Sequence, residues 1–407
     1  MNLDRDSATY LDSTIYLDAQ ATTPCDPEVV RAMAPCWTED FGNPASAQHA
    51  FGCRAADRVE KARTQVSTFL GCEPREVVFT SGATEADNLA LLGVVGASSQ
   101  ESIHVITCAT EHKAILDTCA RLEQRGVSMT YLPVQSDGRI DPEQVERVLR
   151  PETVLVSLML ANNEIGVLQP VIEVAALCRS RGVLTHTDAA QGGALLDCRV
   201  DRLGVDLLSL SAHKMYGPKG VGALYVRRRR PRVRLEPQSH GGGHEQGRRS
   251  GTLAVPALVG FGRACELAAE RREKDGPRQG VLRDRLLHRL RDALPDLIVN
   301  GSLEHRLSNN LNISLPGVEA RALLQEVHGV ALASGSACTS SATDGSYVVR
   351  LLPGGAERAE GALRFGLLRT VTEDEVDRAA HEVVQAARRV RRAPRPLEDP
   401  CFVGCEV

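Results

Sequence analysis

Four short polar stretches follow apolar runs in this chain, and each holds a residue type suited to carbonyl or phosphate chemistry. Ser209-Leu210-Ser211-Ala212-His213-Lys214 puts a lysine directly behind an apolar strand and ahead of the turn Gly217-Pro218-Lys219-Gly220. A lysine held at the mouth of an apolar pocket can lose its proton and form a Schiff base. Ser81-Gly82-Ala83-Thr84-Glu85-Ala86 reads as a glycine turn opening a helix, which aims backbone N–H groups and the positive end of the dipole at an anion such as phosphate. Thr110-Glu111-His112-Lys113 and Asp188-Ala189-Ala190-Gln191 end two further runs. Each has a plainer reading alone: most lysines are solvated, most lone histidines are structural, and a strand-end aspartate or a glycine turn commonly caps a helix. Together they supply what pyridoxal phosphate requires: an amine for its aldehyde, a carboxylate to keep the pyridine nitrogen protonated, a phosphate cup and an imidazole to cover the ring.

Such residues converge when they follow the carboxyl ends of strands in an open α/β sheet. Seven strands are expected, over 76–80, 103–107, 128–132, 153–159, 183–187, 206–211 and 221–226, because these runs are short, apolar and bounded by breakers. They alternate with helical patterns from about 26 to 226, which predicts a mainly parallel sheet flanked by helices. Asp26-Pro27-Glu28 reads as a helix start, and a second helix is expected over roughly 46 to 69, stopped by Gly71. The polar, breaker-rich stretch 273–280 is read as a boundary. A large unit over 25–272 and a smaller α+β unit from 1–24 and 273–407 follow, the latter with a strand over 310–315 and helices over 319–328 and 372–391.

A chain of 407 residues has room for two or three domains. With 43% hydrophobic and 25% charged residues and a net charge of -4, it reads as an ordinary globular protein without a global field for nucleic acid or an anionic membrane. No run approaches the ~18 apolar residues of a membrane span, and the first residues lack a basic start and an apolar block, so cytoplasm is the expected compartment. Twelve cysteines without a Cys-x-x-Cys pair read mostly as reduced, buried residues. Cys401 and Cys405 are two ligands alone, and no metal site is read from them.

The chain resembles the NifS/IscS-like cysteine desulfurases of the class V aminotransferase fold. The resemblance rests on ordered blocks from about 16 to 370: Tyr16 to Pro24, Phe41 to Ser46, Phe79 to Glu85, Thr110 to Lys113, Asn162 to Gly166, Ser211 to Gly220, Gly241 to Glu245, Arg249 to Thr252 and Ser334 to Ser340. It implies a pyridoxal 5'-phosphate-dependent transferase of fold type I. Lys214 would carry the cofactor, with Asp188 at the pyridine nitrogen, Gln191 at the phenolic oxygen and His112 over the ring. Ala83, Thr84, Ser211, His213 and, from a second subunit, Thr252 would hold the phosphate, so a homodimer is implied. Asn163, Arg364 and Asn43 would hold the carboxylate of the substrate, L-cysteine. Cys338 would take the substrate's sulfur as a persulfide, leaving alanine, and pass it to a sulfur-acceptor protein, with His112 moving protons. The small residues of 333–346 suit a mobile loop for that cysteine.

This chain has Ala19-Gln20, Leu160-Ala161 and Ala190 where relatives often carry other residues, at positions expected to border the cleft. An aminotransferase or selenocysteine lyase on the same scaffold is the rival reading. The basic run 227–234 invites nucleic-acid binding, but it follows a strand and lacks interleaved aromatics, so it reads as a solvated strand end.

Overall fold

The computed structural model describes residues 14–335 and 345–392. Cys338, Cys401 and Cys405, most of the expected 334–346 loop and the chain beyond Arg392 lie outside the described residues, as do the first 13 residues.

The chain enters through β1 (Ile15–Tyr16) and then builds one seven-stranded sheet from β2 (Val77–Thr80), β3 (His104–Cys108), β4 (Ser128–Leu132), β5 (Thr153–Ser157), β6 (Leu184–Asp188), β7 (Leu207–Ser211) and β8 (Gly222–Val226). The order is β2-β8-β7-β6-β5-β3-β4, with β8 antiparallel to both neighbours and the remaining pairs parallel. All seven expected strands are present in this sheet, most within a residue of the expected bounds, which makes the α/β class correct. Side chains alternate between its faces. Val77, Phe79, Ile106, Val156, Leu208 and Tyr225 enter one core. Val78, Val105, Leu155, Leu207 and Leu224 enter another on the opposite side. Burial on both faces explains why the strands read as continuous apolar runs rather than alternating ones.

Helix α1 (Ala50–Leu70) covers the first face and packs against the long helix Val255–Ala293; α2 (Ala83–Gly96) and α3 (Lys113–Glu123) cover the second. α1 starts at residue 50 rather than 46 because His49 caps it, its Nδ1 accepting from the Gly52 N–H at 3.2 Å. Gly71, at φ +65°, ends it as expected. Asp26 caps the short helix Pro27–Met33, also as expected.

No loop interrupts the chain at 273–280. That stretch lies inside α4 (Val255–Ala293), a 39-residue helix that runs through Pro277. Its composition shows no apolar stripe because its side chains tie down by hydrogen bonds: Gln279 donates to the Leu367 carbonyl at 2.8 Å, and Arg278 donates to those of Arg369 and Val371. Ahead of this stretch α4 buries Phe261, Cys265 and Ala268 in the first core. Beyond it, Leu282, Leu286 and Leu290 enter a third core with Ile15 and Leu17.

That third core lies on a four-stranded antiparallel sheet of order β12-β13-β10-β9, made by β9 (Ile298–Val299), β10 (Asn310–Ser314), β12 (Ala333–Ser334) and β13 (Ala362–Gly366). β11 (Val330–Ala331) pairs in parallel with β1. The helices expected over 319–328 and 372–391 appear as Ala320–Glu326 and as α6 (Glu373–Arg392), with the short α5 (Tyr347–Leu351) between them. Among the described residues no helix is long and apolar enough to cross a membrane. The basic run follows β8, and Arg227 pairs with Asp206 at 2.8 Å.

Candidate active site

Strands β2, β3, β5, β6 and β7 deliver their carboxyl ends to one edge of the large sheet, and a cavity of about 480 Å³ opens there. Its walls include Lys214, Asp188, Gln191, His112, Ala83, Thr84, Asn163, Ser211, His213 and Arg364. Residues far apart in sequence, from Gln20 to Arg364, thus share one pocket, of the size typical for small-molecule and cofactor sites.

At the floor, Asp188 ends β6 and is 7% exposed, with one carboxylate oxygen fixed by the Ala190 N–H at 2.8 Å. Lys214 lies in a 3-10 turn immediately behind β7. His112 is the N-cap of α3: its Nδ1 accepts from the Ala114 N–H at 3.1 Å, so the proton of the neutral ring sits on Nε2. Burial, and then the Lys214 cation, lower its pKa and keep it neutral. Gln191 donates to the Gln20 carbonyl at 2.9 Å.

One wall is an anion cup. Helix α2 starts behind Gly82, which has no side chain to cap the first N–H groups. A Cβ on Gly82 would meet only the Ser211 hydroxyl, 4.0 Å away, so the hydroxyl and the helix start share one opening. Glu85, in the first turn, binds the Ser81 N–H and pairs with Arg249 at 2.7 Å, fixing the cup from behind. His213 is hydrogen-bonded to the Thr22 hydroxyl at 3.1 Å. Its pKa falls to about 4 through burial and the Lys214 and Lys219 cations.

The opposite wall comes from the smaller sheet. Arg364, on β13 and 2% exposed, donates to the Asn163 carbonyl at 3.0 Å and pairs with Asp18 at 2.7 Å. The Asn163 Oδ1 is buried without a hydrogen-bond partner among the described residues. Asn43 and Thr252 do not join this cavity. Both are exposed, and their chain neighbours Pro44 and Leu253 line a second cavity of about 590 Å³ around the buried Arg63–Glu245 pair.

Residues 15–379 match the family model for class-V aminotransferases. The cysteine desulfurase IscS of Anaeromyxobacter sp. (strain Fw109-5) is 51% identical over 377 residues, 93% of each chain. That of Proteus mirabilis (strain HI4320) is 50% identical over 379 residues, again 93% of each. The chain belongs to the class-V aminotransferase family, among its cysteine desulfurases. Its fold is similar to that of a solved NifS-like protein, with a TM-score of 0.85 and 35% identity over 91% of this chain and 98% of the other. DndA from Streptomyces lividans aligns with a TM-score of 0.73 and 39% identity over 86% and 99%.

Several residues in or behind the walls of this desulfurase's cavity escaped the reading of the sequence. Asp87, fully buried on α2, lines it, with the His186 Nε2 3.6 Å from one of its oxygens. Burial and the neighbouring Asp188 charge push its pKa well up, favouring the neutral acid. Burial likewise pushes the Glu111 pKa well up, and one of its oxygens accepts from the Met159 N–H at 2.7 Å. The signal available was a carboxylate on the apolar face of α2, between Ala86 and Leu89. Asp18, paired with a residue 346 positions away, left no local signal. Three positions that depart from relatives, Gln20, Ala161 and Ala190, do line the cavity.

Proposed function

We propose that this desulfurase uses pyridoxal 5'-phosphate to convert L-cysteine to L-alanine, keeping the sulfur as a persulfide on Cys338 and handing it to an acceptor protein. The observation that carries this reading is the meeting of Lys214, Asp188, His112 and the uncapped start of α2 in one cavity of about 480 Å³. These residues fit the cofactor: an anion cup at one end, a fixed carboxylate beneath, an imidazole at the side and an amine within the same walls. When bound, the cofactor supplies an aldehyde for the substrate amine and a ring that draws electron density from the substrate carbon.

Lys214 would hold the cofactor, and its amine is placed to move protons at the substrate carbon. Asp188 faces the pyridine nitrogen and Gln191 the phenolic oxygen. The N–H groups of Ala83 and Thr84 bind the phosphate with the hydroxyls of Thr84 and Ser211 and the His213 ring. Arg364 and Asn163 receive the substrate carboxylate, Arg364 sharing its charge between that group and Asp18. The Cys338 thiolate attacks the substrate sulfur: a sulfur–sulfur bond forms, the carbon–sulfur bond breaks, and the carbon keeps the electron pair and takes a proton. His112, neutral with its proton on Nε2, is placed to exchange protons with the sulfur groups.

Asn43 and Thr252 belong to a second subunit's site in this proposal. Trp37 (66% exposed), Phe41 (62%) and Phe51 (46%) on the nearby chain support a homodimer, since large exposed aromatics mark interaction surfaces.

The test is the visible absorption of the purified protein followed by alanine production from L-cysteine with a reductant. Wild type gives both; Lys214→Ala gives neither, and Cys338→Ala keeps the absorption but loses alanine. A Cys338→Ala protein that forms alanine and free sulfide at the original rate would make the chain a lyase.

A further inference from the structure

Glu164 follows the cavity residue Asn163 and is 1% exposed. Its backbone is fixed: the N–H donates to the Asn162 Oδ1 at 2.8 Å, and the carbonyl accepts from Asn310 and Asn312 on β10 at 3.2 and 3.1 Å. Its Oε2 accepts the Ser346 hydroxyl at 2.5 Å, and the same oxygen presses so closely on Gly335 that a Cβ there would overlap it. Ser346 occupies the same spot, its Cβ and Oγ within 2.6 and 2.7 Å of that would-be Cβ. The Arg364 cation is the charge facing the carboxylate.

Gly335 and Ser346 are eleven positions apart and flank the stretch that carries Cys338. A buried carboxylate is costly unless it serves a contact, and this one contacts both flanks at once. We propose that Glu164 is a positioning residue for sulfur transfer: its carboxylate joins the two flanks, Gly335 and Ser346, and fixes them beside Asn163 and Arg364. This inference rests on the proposed role of Cys338. Glycine is required at 335 because any side chain would displace the carboxylate, and Ser346 serves twice, since its hydroxyl also accepts the Val349 N–H at 3.0 Å as the cap of α5.

The experiment uses the full-length, cofactor-loaded protein and two readouts: the change in visible absorption on adding L-cysteine, and single-turnover persulfide on Cys338, measured by mass spectrometry of the alkylated peptide. Glu164→Ala and Ser346→Ala should each slow persulfide formation about tenfold, as expected for a buried hydrogen bond to a charged group, and leave the absorption change in place. The double variant should be no slower than the slower single one, because both remove one contact. Glu164→Gln, which can still accept the Ser346 hydroxyl, should return to within about twofold of wild type. A Glu164→Ala protein with the wild-type persulfide rate, or single effects that multiply in the double variant, would overturn the proposal. So would loss of both readouts together in Glu164→Gln, which would mark a merely structural residue. A wild-type protein that changes its absorption but forms no persulfide on Cys338 would instead overturn the role of Cys338, and the proposal with it.

Discussion

Around Asp188 the protein gathers two further buried carboxylates, Asp87 and Glu111, and a buried imidazole, His186. His186 sits between the Ser157 and Ser209 hydroxyls at 2.9 and 3.0 Å, and burial lowers its pKa to about 4. Its folded pKa is below the unfolded value of about 6.5, so its contribution is fully present above that value and is lost as pH falls toward 4. Between pH 7 and pH 5 the wild type should therefore lose about 2 kcal/mol more stability than His186→Gln, read from urea midpoints at each pH. A second expectation concerns Asp188, which faces the cofactor in our proposal: Asp188→Asn should lose visible absorption on dialysis faster than wild type. Of these groups only Asp188 was legible in the sequence as a site residue, because it stands at a strand end in a polar stretch. Asp87 and His186 lie inside an element rather than at its end, and acquire meaning only when α2 lies across β6 and β7.

At the scale of elements, the strands were readable because burial on both faces leaves uninterrupted apolar runs between breakers. The path of 273–280 was not, since its helix is held by Arg278 and Gln279 reaching carbonyls some 90 residues away. The same holds for the junction of α1, β2 and the turn at Glu245. There the Arg63 guanidinium makes a bidentate pair with Glu245, at 2.7 and 2.8 Å, and Glu245 also accepts the Phe79 N–H at 2.8 Å. Both side chains are buried, so Glu245→Ala leaves the guanidinium only the exposed Glu60 as a counter-charge and should cost about 3 kcal/mol in chemical denaturation. Gly222 at the start of β8 is tight in another way: a Cβ would come within 2.7 Å of the Gly82 backbone, directly beneath the anion cup.

Across the whole molecule, the aromatic surface at Trp37, Phe41 and Phe51 gives the proposed dimer a concrete test. Trp37→Glu should shift the protein toward the monomer in sedimentation and, by withdrawing the second subunit's Thr252, should weaken cofactor retention. An unchanged mass with wild-type retention would refute that arrangement. The helix spanning residues 255–293 has a mechanical consequence. Because one rod is rooted at either end in separate hydrophobic interiors, neither interior can melt without tearing the footing from its neighbour. Heating should accordingly show both halves disappearing at a single temperature, and a chain cut near Pro277 should come apart in two stages.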